Sequence, residues 1–443
     1  VESPTIYIAG DSTAQTYNYT KVYPQTGWGQ VFADYFNDDI IIENRAMGGR
    51  SSKSYDNDGR LDRILTEMHP GDYVFIQFGI NDGAENKPER YISVEDYKKL
   101  ITDKYIGEVE KRGGTPVLMT ANAAAWWDEE NNCFMESRKD YADPTREIAE
   151  ETGCKFIDEN KIVTDAWNSM SKNRVLSGYF ICEPLESKAY PSGTNDTTHM
   201  KAKGAKRVAK LIADAIPENV PELAKYLKGD ETFTDIQGHW AEDVIKTLAE
   251  NDKVSGVGDG KFNPDGTVTR AEFLKMAMDS LGIVGHAYRD GECLDATNDD
   301  WYCYYLQGAL DKDIIPKEMI ENCNVTKVTK TLAEATDDKE AVTTDVNVYT
   351  GKFDGDKPIT REEMAAIAVR CKNYKMRRLT DWDNERRYPI FSFKDSDEID
   401  EKYISDVVEA YNLNYIDGME DGRFAPKENL TRAQAAVVMN NLK

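Results

Sequence analysis

From Thr5 to about Pro217, short β-branched apolar runs alternate with longer stretches in which apolar residues recur at helical spacing. Thr5–Ala9, Ile40–Asn44, Tyr73–Phe78 and Thr115–Thr120 read as strands. The last helix of this region is predicted around Lys201–Ile216, where Ala205, Val208, Ala209, Ile212 and Ala213 share a face. Strands alternating with helices imply a three-layer α/β/α domain on a parallel sheet, spanning 1–217. Pro217 follows the helical pattern directly, and with Pro221 it predicts an exit into a linker over 218–230.

Beyond that point the pattern repeats. Phe233-Thr234-Asp235 with Trp240, then Gly258-Asp259-Gly260-Lys261-Phe262-Asn263-Pro264, then Thr269-Arg270-Ala271-Glu272 form one copy. A second stands near the C-terminus as Phe393-Lys394-Asp395 with Tyr403, Gly422-Arg423-Phe424-Ala425-Pro426 and Thr431-Arg432-Ala433-Gln434. The step from proline to arginine is the same in both, 264 to 270 and 426 to 432. A degenerate middle copy runs from Asp295 and Trp301 to Phe353-Asp354-Gly355 and Thr360-Arg361-Glu362-Glu363, with an insertion at about 315–352. The three copies are assigned to 231–285, 286–378 and 390–443. Each reads as a helix, a Gly/Pro loop and a second helix N-capped by Thr269, Thr360 or Thr431. One such unit cannot bury its apolar face alone, so the copies are expected to pack together.

Composition narrows the classes of function. The 443 residues exceed one ordinary core, and 40% hydrophobic with 10% aromatic residues is enough to build two. A formal charge of −25 without a basic stripe excludes a nucleic-acid partner. No apolar run approaches the roughly 18 residues of a membrane span. Val1 stands just ahead of the first strand, which predicts a processed or trimmed start with any signal peptide removed. Seven cysteines without a CxxC pair argue against a zinc knuckle or a redox motif and read as buried small hydrophobes with room for one disulfide, the odd count leaving at least one thiol free. With no HExxH and no histidine cluster, neither a metal nor a cofactor is expected.

Candidate chemistry sits at the strand ends. Gly10-Asp11-Ser12-Thr13 follows the first strand, where a serine at a strand-to-helix turn exposes its Oγ and its own N–H to the same space. Asn44 to Ser52, containing Gly48-Gly49-Arg50-Ser51-Ser52, follows the second, and its glycine pair can bring a backbone N–H close to a ligand. Phe78-Gly79-Ile80-Asn81-Asp82 ends the third. A nucleophilic serine needs a base, and there are only four histidines. His239 and His286 lie in the repeat half and His69 precedes the third strand at the opposite sheet end, which leaves His199, with Asp196 three residues ahead to orient it. No G-x-S-x-G surrounds any serine, against an α/β-hydrolase lipase.

These four segments, in this order, resemble the blocks of the SGNH (GDSL-type) hydrolases, and GDST, GGRSS and FGxND are similar to the rhamnogalacturonan and pectin acetylesterase branch. The resemblance implies a flavodoxin-like α/β/α fold with Ser12 as nucleophile, His199 as base then acid, and Asp196 as its orienting carboxylate. It implies oxyanion donors at the Ser12 and Gly49 N–H groups and the Asn81 side chain, with Gly48 the alternative to Gly49. Ile80 departs from the histidine that branch often carries. Trp126 and Trp127, after the fourth strand, are candidates to stack on sugar rings, and Arg50 to meet a uronic acid.

The repeats resemble S-layer homology domains, a mainly α-helical pseudo-threefold bundle that docks on secondary cell-wall polysaccharide. That resemblance implies wall-polymer contacts at Asp235, Trp240, Arg270, Trp301, Arg361 and Arg432, the arginines as anion partners. Together the two halves imply a secreted esterase on a Gram-positive-type cell wall, removing acetyl groups from pectin or rhamnogalacturonan, with acetyl-xylan next. The other readings are a non-catalytic glycan-binding surface-layer protein and a lipid or thioester hydrolase, the latter disfavoured by the polar Thr13, Ser51, Ser52 and Asn81.

Overall fold

The computed structural model describes residues 3–229, 233–251, 253–287, 292–297, 299–333, 340–376 and 393–442. It divides into two compact units, Val1–Cys182 with Thr194–Gly229, and Glu183–Gly193 with Asp230–Lys443.

The strands of the first unit are β1 (Thr5–Gly10), β2 (Ile41–Asn44), β3 (Tyr73–Gln77), β4 (Thr115–Met119), a small hairpin of β5 (Trp126–Asp128) and β6 (Cys133–Met135), and β7 (Lys155–Ile157). Five form one parallel sheet in the order β2-β1-β3-β4-β7. Alternate residues feed two cores, as expected of a sheet covered on both faces. Ile6, Ile8, Phe75 and Val117 pack on one side with Trp28, Phe32, Val208 and Ile212. Tyr7, Ala9, Val74 and Ile76 pack on the other with Leu61, Ile64, Tyr97 and Tyr105. Gly10 lies opposite Gln77 in the register, so the chains leaving β1 and β3 emerge side by side at the C-terminal sheet edge.

The helices that matter for the site are α1 (Ser52–Asn57), α2 (Arg60–Glu67), α3 (Val94–Leu100), α4 (Lys139–Thr152), α5 (Glu159–Asn168) and α6 (Ala202–Asn219). Helix α6 runs through Pro217, where an exit was expected. Its last turn buries Ile216, and Val220 just beyond its end is buried too, which offsets the missing proline N–H. Residues 218–229 are not a linker either: Pro221–Tyr226 forms a 3-10 helix whose Leu223 is buried. Asn37 N–H donates to the Tyr226 carbonyl at 2.8 Å and Lys228 N–H to that of Tyr35 at 2.9 Å, which ties the segment back to the domain.

In the second unit the capping residues do what the repeat pattern predicts. Helices α7 (Glu242–Glu250), α8 (Arg270–Leu281), α9 (Cys303–Asp311), α10 (Arg361–Lys375), α11 (Ile404–Asn412) and α12 (Arg432–Asn441) supply a helix pair per copy. Thr269, Thr360 and Thr431 each close a capping box, with Glu272, Glu363 and Gln434. The copies are stitched in a cycle: the N–H of Arg270 donates to the Lys357 carbonyl, that of Arg361 to Glu428, and that of Arg432 to Gly266. Asp235, Asp295 and Asp395 each accept two backbone N–H groups of the loop in their own copy. The insertion of the middle copy is a long antiparallel hairpin, β8 (Glu321–Ala333) with β9 (Val342–Lys352). The boundaries expected at 230–231, 378 and 390 lie outside the described residues. All seven cysteines are free thiols.

Candidate active site

The turn after β1 is built by Asp11. Its buried carboxylate accepts the N–H and O–H of Thr13 at 2.9 and 2.8 Å, and its carbonyl accepts the N–H groups of Ala14 and Gln15. Burial holds the Asp11 carboxyl above the ordinary range, opposed by the Thr13 hydrogen bonds. Ser12 rides on this turn, half-buried, with its carbonyl accepting the Tyr17 hydroxyl at 2.6 Å.

The segment that carries His199 is held from three sides. Ala125 N–H donates to the Thr197 carbonyl at 2.8 Å, Thr26 N–H to that of Met200 at 2.9 Å, and Lys201 N–H to that of Tyr179 at 2.7 Å. These bonds bring residues 187 positions apart into contact: His199 Nε2 lies 2.8 Å from Ser12 Oγ. On the far side of the ring, Nδ1 lies 2.7 Å from Asp196 Oδ2. The other Asp196 oxygen accepts the N–H groups of Thr198 and His199 at 2.7 and 3.0 Å. Burial disfavours the Asp196 anion, yet these three donors outweigh it and bring the carboxyl down to about 2. The Asp196 hydrogen bond in turn raises His199 above its ordinary value, against the effect of burial.

Two glycines of the 48–52 segment have separate tasks. Gly48 passes so close that a Cβ there would stand 3.6 Å from Ser12 Cβ and 2.6 Å from Gln15 Oε1, and its N–H is taken by that same oxygen. Gly49 turns at φ +73°, a conformation that L side chains rarely adopt. Among the described residues no protein acceptor takes the N–H of Ser12 or of Gly49. The Asn81 amide donates one hydrogen to the Arg50 carbonyl at 3.0 Å, which orients the group and leaves its second hydrogen. Ser12, Gly49 and Asn81 thus keep donor hydrogens uncommitted to protein acceptors, whereas the Gly48 N–H is spent on Gln15.

Sequence reasoning assigned no role to Asp82, which fastens these loops together. One carboxylate oxygen accepts the N–H and O–H of Ser52 at 2.9 and 2.5 Å, and the other accepts the N–H of Gly79 at 2.9 Å. Burial pushes its carboxyl up to about 6. Ser51 caps α1 through a capping box with Ser54, so both serines of the GGRSS segment are structural anchors.

The peripheral candidates are distributed unevenly. Trp126 lies under the Arg138 guanidinium, 4.8 Å from its ring centroid, on the hairpin that neighbours Thr197. Trp127 packs edge-on against Phe134 at 4.9 Å and carries Lys172 over its face. Arg50 is engaged by Asp58 at 2.8 Å and by the Gly48 carbonyl at 3.2 Å. In the second unit Trp240 and Trp301 stand 67% and 53% exposed, whereas Tyr403 of the third copy is buried. All three repeat arginines are buried, with their guanidiniums on loop groups: Arg270 on the Phe353 carbonyl and Glu363, Arg361 on the Phe424 and Asp417 carbonyls, Arg432 on those of Phe262 and Ser255. Asp235 likewise spends its carboxylate on loop N–H groups.

A histidine poised on a serine hydroxyl, at the C-terminal edge of a parallel sheet wrapped in helices, is the layout of an α/β/α hydrolase of carboxylic esters. Residues 8–207 match the model of the GDSL-like Lipase/Acylhydrolase family, and residues 232–274 and 392–436 that of the S-layer homology domain. A probable rhamnogalacturonan acetylesterase, YesY of Bacillus subtilis (strain 168), is 36% identical over 213 residues, 48% of this chain and 92% of its own. Rhamnogalacturonan acetylesterase RhgT of the same strain is 32% identical over 216 residues, 48% of this chain and 89% of its own. The solved structure of protein YxiM from Bacillus subtilis is 29% identical, covers 51% of this chain and 57% of its own, and superposes with a TM-score of 0.41. The chain belongs to the GDSL-like lipase/acylhydrolase family: it is a carboxylic-ester hydrolase with S-layer homology domains appended for surface-layer or cell-wall attachment.

Proposed function

We propose that the protein is a secreted, wall-attached carbohydrate esterase that removes O-acetyl groups from plant polysaccharide, rhamnogalacturonan or pectin foremost. The observation that carries this reading is the line Asp196, His199, Ser12, with contacts of 2.7 and 2.8 Å. His199 takes the Ser12 proton as Oγ attacks the acetyl carbonyl. The tetrahedral oxyanion is held by the N–H groups of Ser12 and Gly49 and the Asn81 amide. The sugar hydroxyl leaves with the proton from His199, and water repeats the sequence to release acetate. The rhamnogalacturonan acetylesterase relatives support the substrate class. A third S-layer homology copy in the middle of the second unit is supported by its capping box and by its place in the hydrogen-bond cycle. In this reading the exposed Trp240 and Trp301 meet the wall polysaccharide and the buried arginines hold the loops that present them.

The test is acetate release from acetylated rhamnogalacturonan, pectin and xylan in parallel, comparing the purified protein with Ser12→Ala. Release from an acidic pectic polymer that Ser12→Ala abolishes is the expected result. No release from any glycan while a small aryl acetate is still hydrolysed overturns the carbohydrate reading.

A further inference from the structure

Arg90 belongs to no motif, yet the fold brings it to the oxyanion donors. It lies on the chain between Asp82 and α3, in a segment fixed along its length. Its N–H donates to the Lys87 carbonyl at 2.8 Å, Ile92 N–H donates to that of Asp82 at 3.1 Å, and Lys53 Nζ reaches the Pro88 and Tyr91 carbonyls, both at 3.1 Å. The guanidinium rests on Gly49: Nη2 stands 3.2 Å and Cζ 3.5 Å from where a Cβ on that residue would be. Nη1 lies 3.5 Å from Asn81 Oδ1. Arg90 thus leans on two of the three residues proposed to supply oxyanion donors. It meets the α-carbon side of Gly49 and the oxygen side of the Asn81 amide.

Its charge is weakly committed. Among the described residues its one acidic neighbour within 4.0 Å is Glu89, at 3.5 Å with a side chain 65% exposed, an ion pair of little energetic weight. Arg50, the arginine that the sequence singles out, is by contrast engaged by Asp58 and the Gly48 carbonyl. Arg90 retains a partly exposed planar fork without a bidentate partner, in a chain whose formal charge is −25. Such a fork fits a carboxylate through two parallel N–H donors.

We propose that Arg90 is a specificity-determining residue, binding the carboxylate of a uronic acid in the acetylated polysaccharide and so selecting acidic glycans over neutral ones. This rests on the carbohydrate acetylesterase reading and names its substrate class. The experiment compares two forms of one acetylated oligogalacturonide, with free carboxylates and with the same carboxylates methyl-esterified. In the wild type kcat/KM is expected to favour the free acid by about tenfold or more, as a charge-assisted pair provides. That preference should weaken as salt is raised. Arg90→Gln should bring the ratio of the two kcat/KM values close to 1, chiefly through KM for the free acid. Arg90→Lys, which keeps the charge and loses the fork, should restore part of it. A ratio unchanged in Arg90→Gln, whether both values fall or neither does, overturns the assignment, as does a wild type indifferent to the methyl ester. Absence of acetate release from every glycan, with an aryl acetate still turned over, overturns the parent reading instead and this one with it.

Discussion

Replacing Asp196 by asparagine removes one charge and keeps the shape, so it isolates what the carboxylate does. In the wild type one oxygen accepts two backbone N–H groups, at 2.7 and 3.0 Å, and the other faces His199 Nδ1 at 2.7 Å. An asparagine places its single oxygen on the two backbone donors, because its amino group there would oppose both. The amino group then faces Nδ1, which must become an acceptor, and the ring proton moves to Nε2. That nitrogen stands 2.8 Å from Ser12 Oγ and in this tautomer cannot take its proton. A misplaced tautomer of this kind costs about 10⁴ in kcat, or roughly 5 kcal/mol of barrier. Steady-state hydrolysis of an aryl acetate by Asp196→Asn between pH 5 and 9 reads the loss directly. The pH profile supplies a second readout. The base must be neutral, so activity disappears as pH falls through the His199 pKa, and the Asp196 bond holds that value above the ordinary 6.5. In Asp196→Asn the residual acidic limb should move to lower pH. A loss of less than tenfold, or an acidic limb that stays in place, refutes the assignment of the orienting carboxylate.

Asn81→Ala should lower kcat by about 10²–10³ with little change in KM, measured on the same ester, because the amide acts on charge that develops only in the transition state. Asp82→Asn leaves at least one of the three donors from Ser52 and Gly79 without an acceptor. Urea unfolding should report a loss of about 1–3 kcal/mol. Burial raises the folded carboxyl from 3.8 to about 6, so its contribution to stability is full below 3.8 and is lost as pH rises through about 6. The gap between wild type and Asp82→Asn should accordingly be wider at pH 5 than at pH 7.5. Arg432→Met orphans the Phe262 and Ser255 carbonyls, which it now serves at 2.7 and 3.0 Å. Thermal unfolding should show the repeat unit destabilised even without a wall polymer; an unchanged midpoint would argue that this arginine is kept for ligand contact.

What was legible in the chain depended on whether the signal was local. The β-branched runs predicted four strands of the parallel sheet because the apolar character of each is written in its own few residues, whether the strand is buried like β1, β3 and β4 or lies at the edge like β2. The capping threonines were equally local, and each closes its box with the residue three positions on. Ser12 and His199, far apart in sequence, were joined by elimination, since so few histidines compete for the role of base. Features decided by tertiary context did not show. Pro217 reads as a helix stop from its missing N–H, but the helix continues because Ile216 and Val220 are buried around it. The loop carbonyls that the repeat arginines hold are equally invisible, because a sequence shows their charge and not the acceptors around it. Arg50 and Arg90 are alike as letters, and Arg50, standing beside the glycine pair, is the one a motif points to. The fold reverses their rank by setting Asp58 against Arg50 and placing Arg90 on Gly49, through loops whose register is fixed only when Asp82 has tied Ser52 to Gly79. A specificity-determining cation of this kind is visible only once the neighbours that leave it uncommitted are in place.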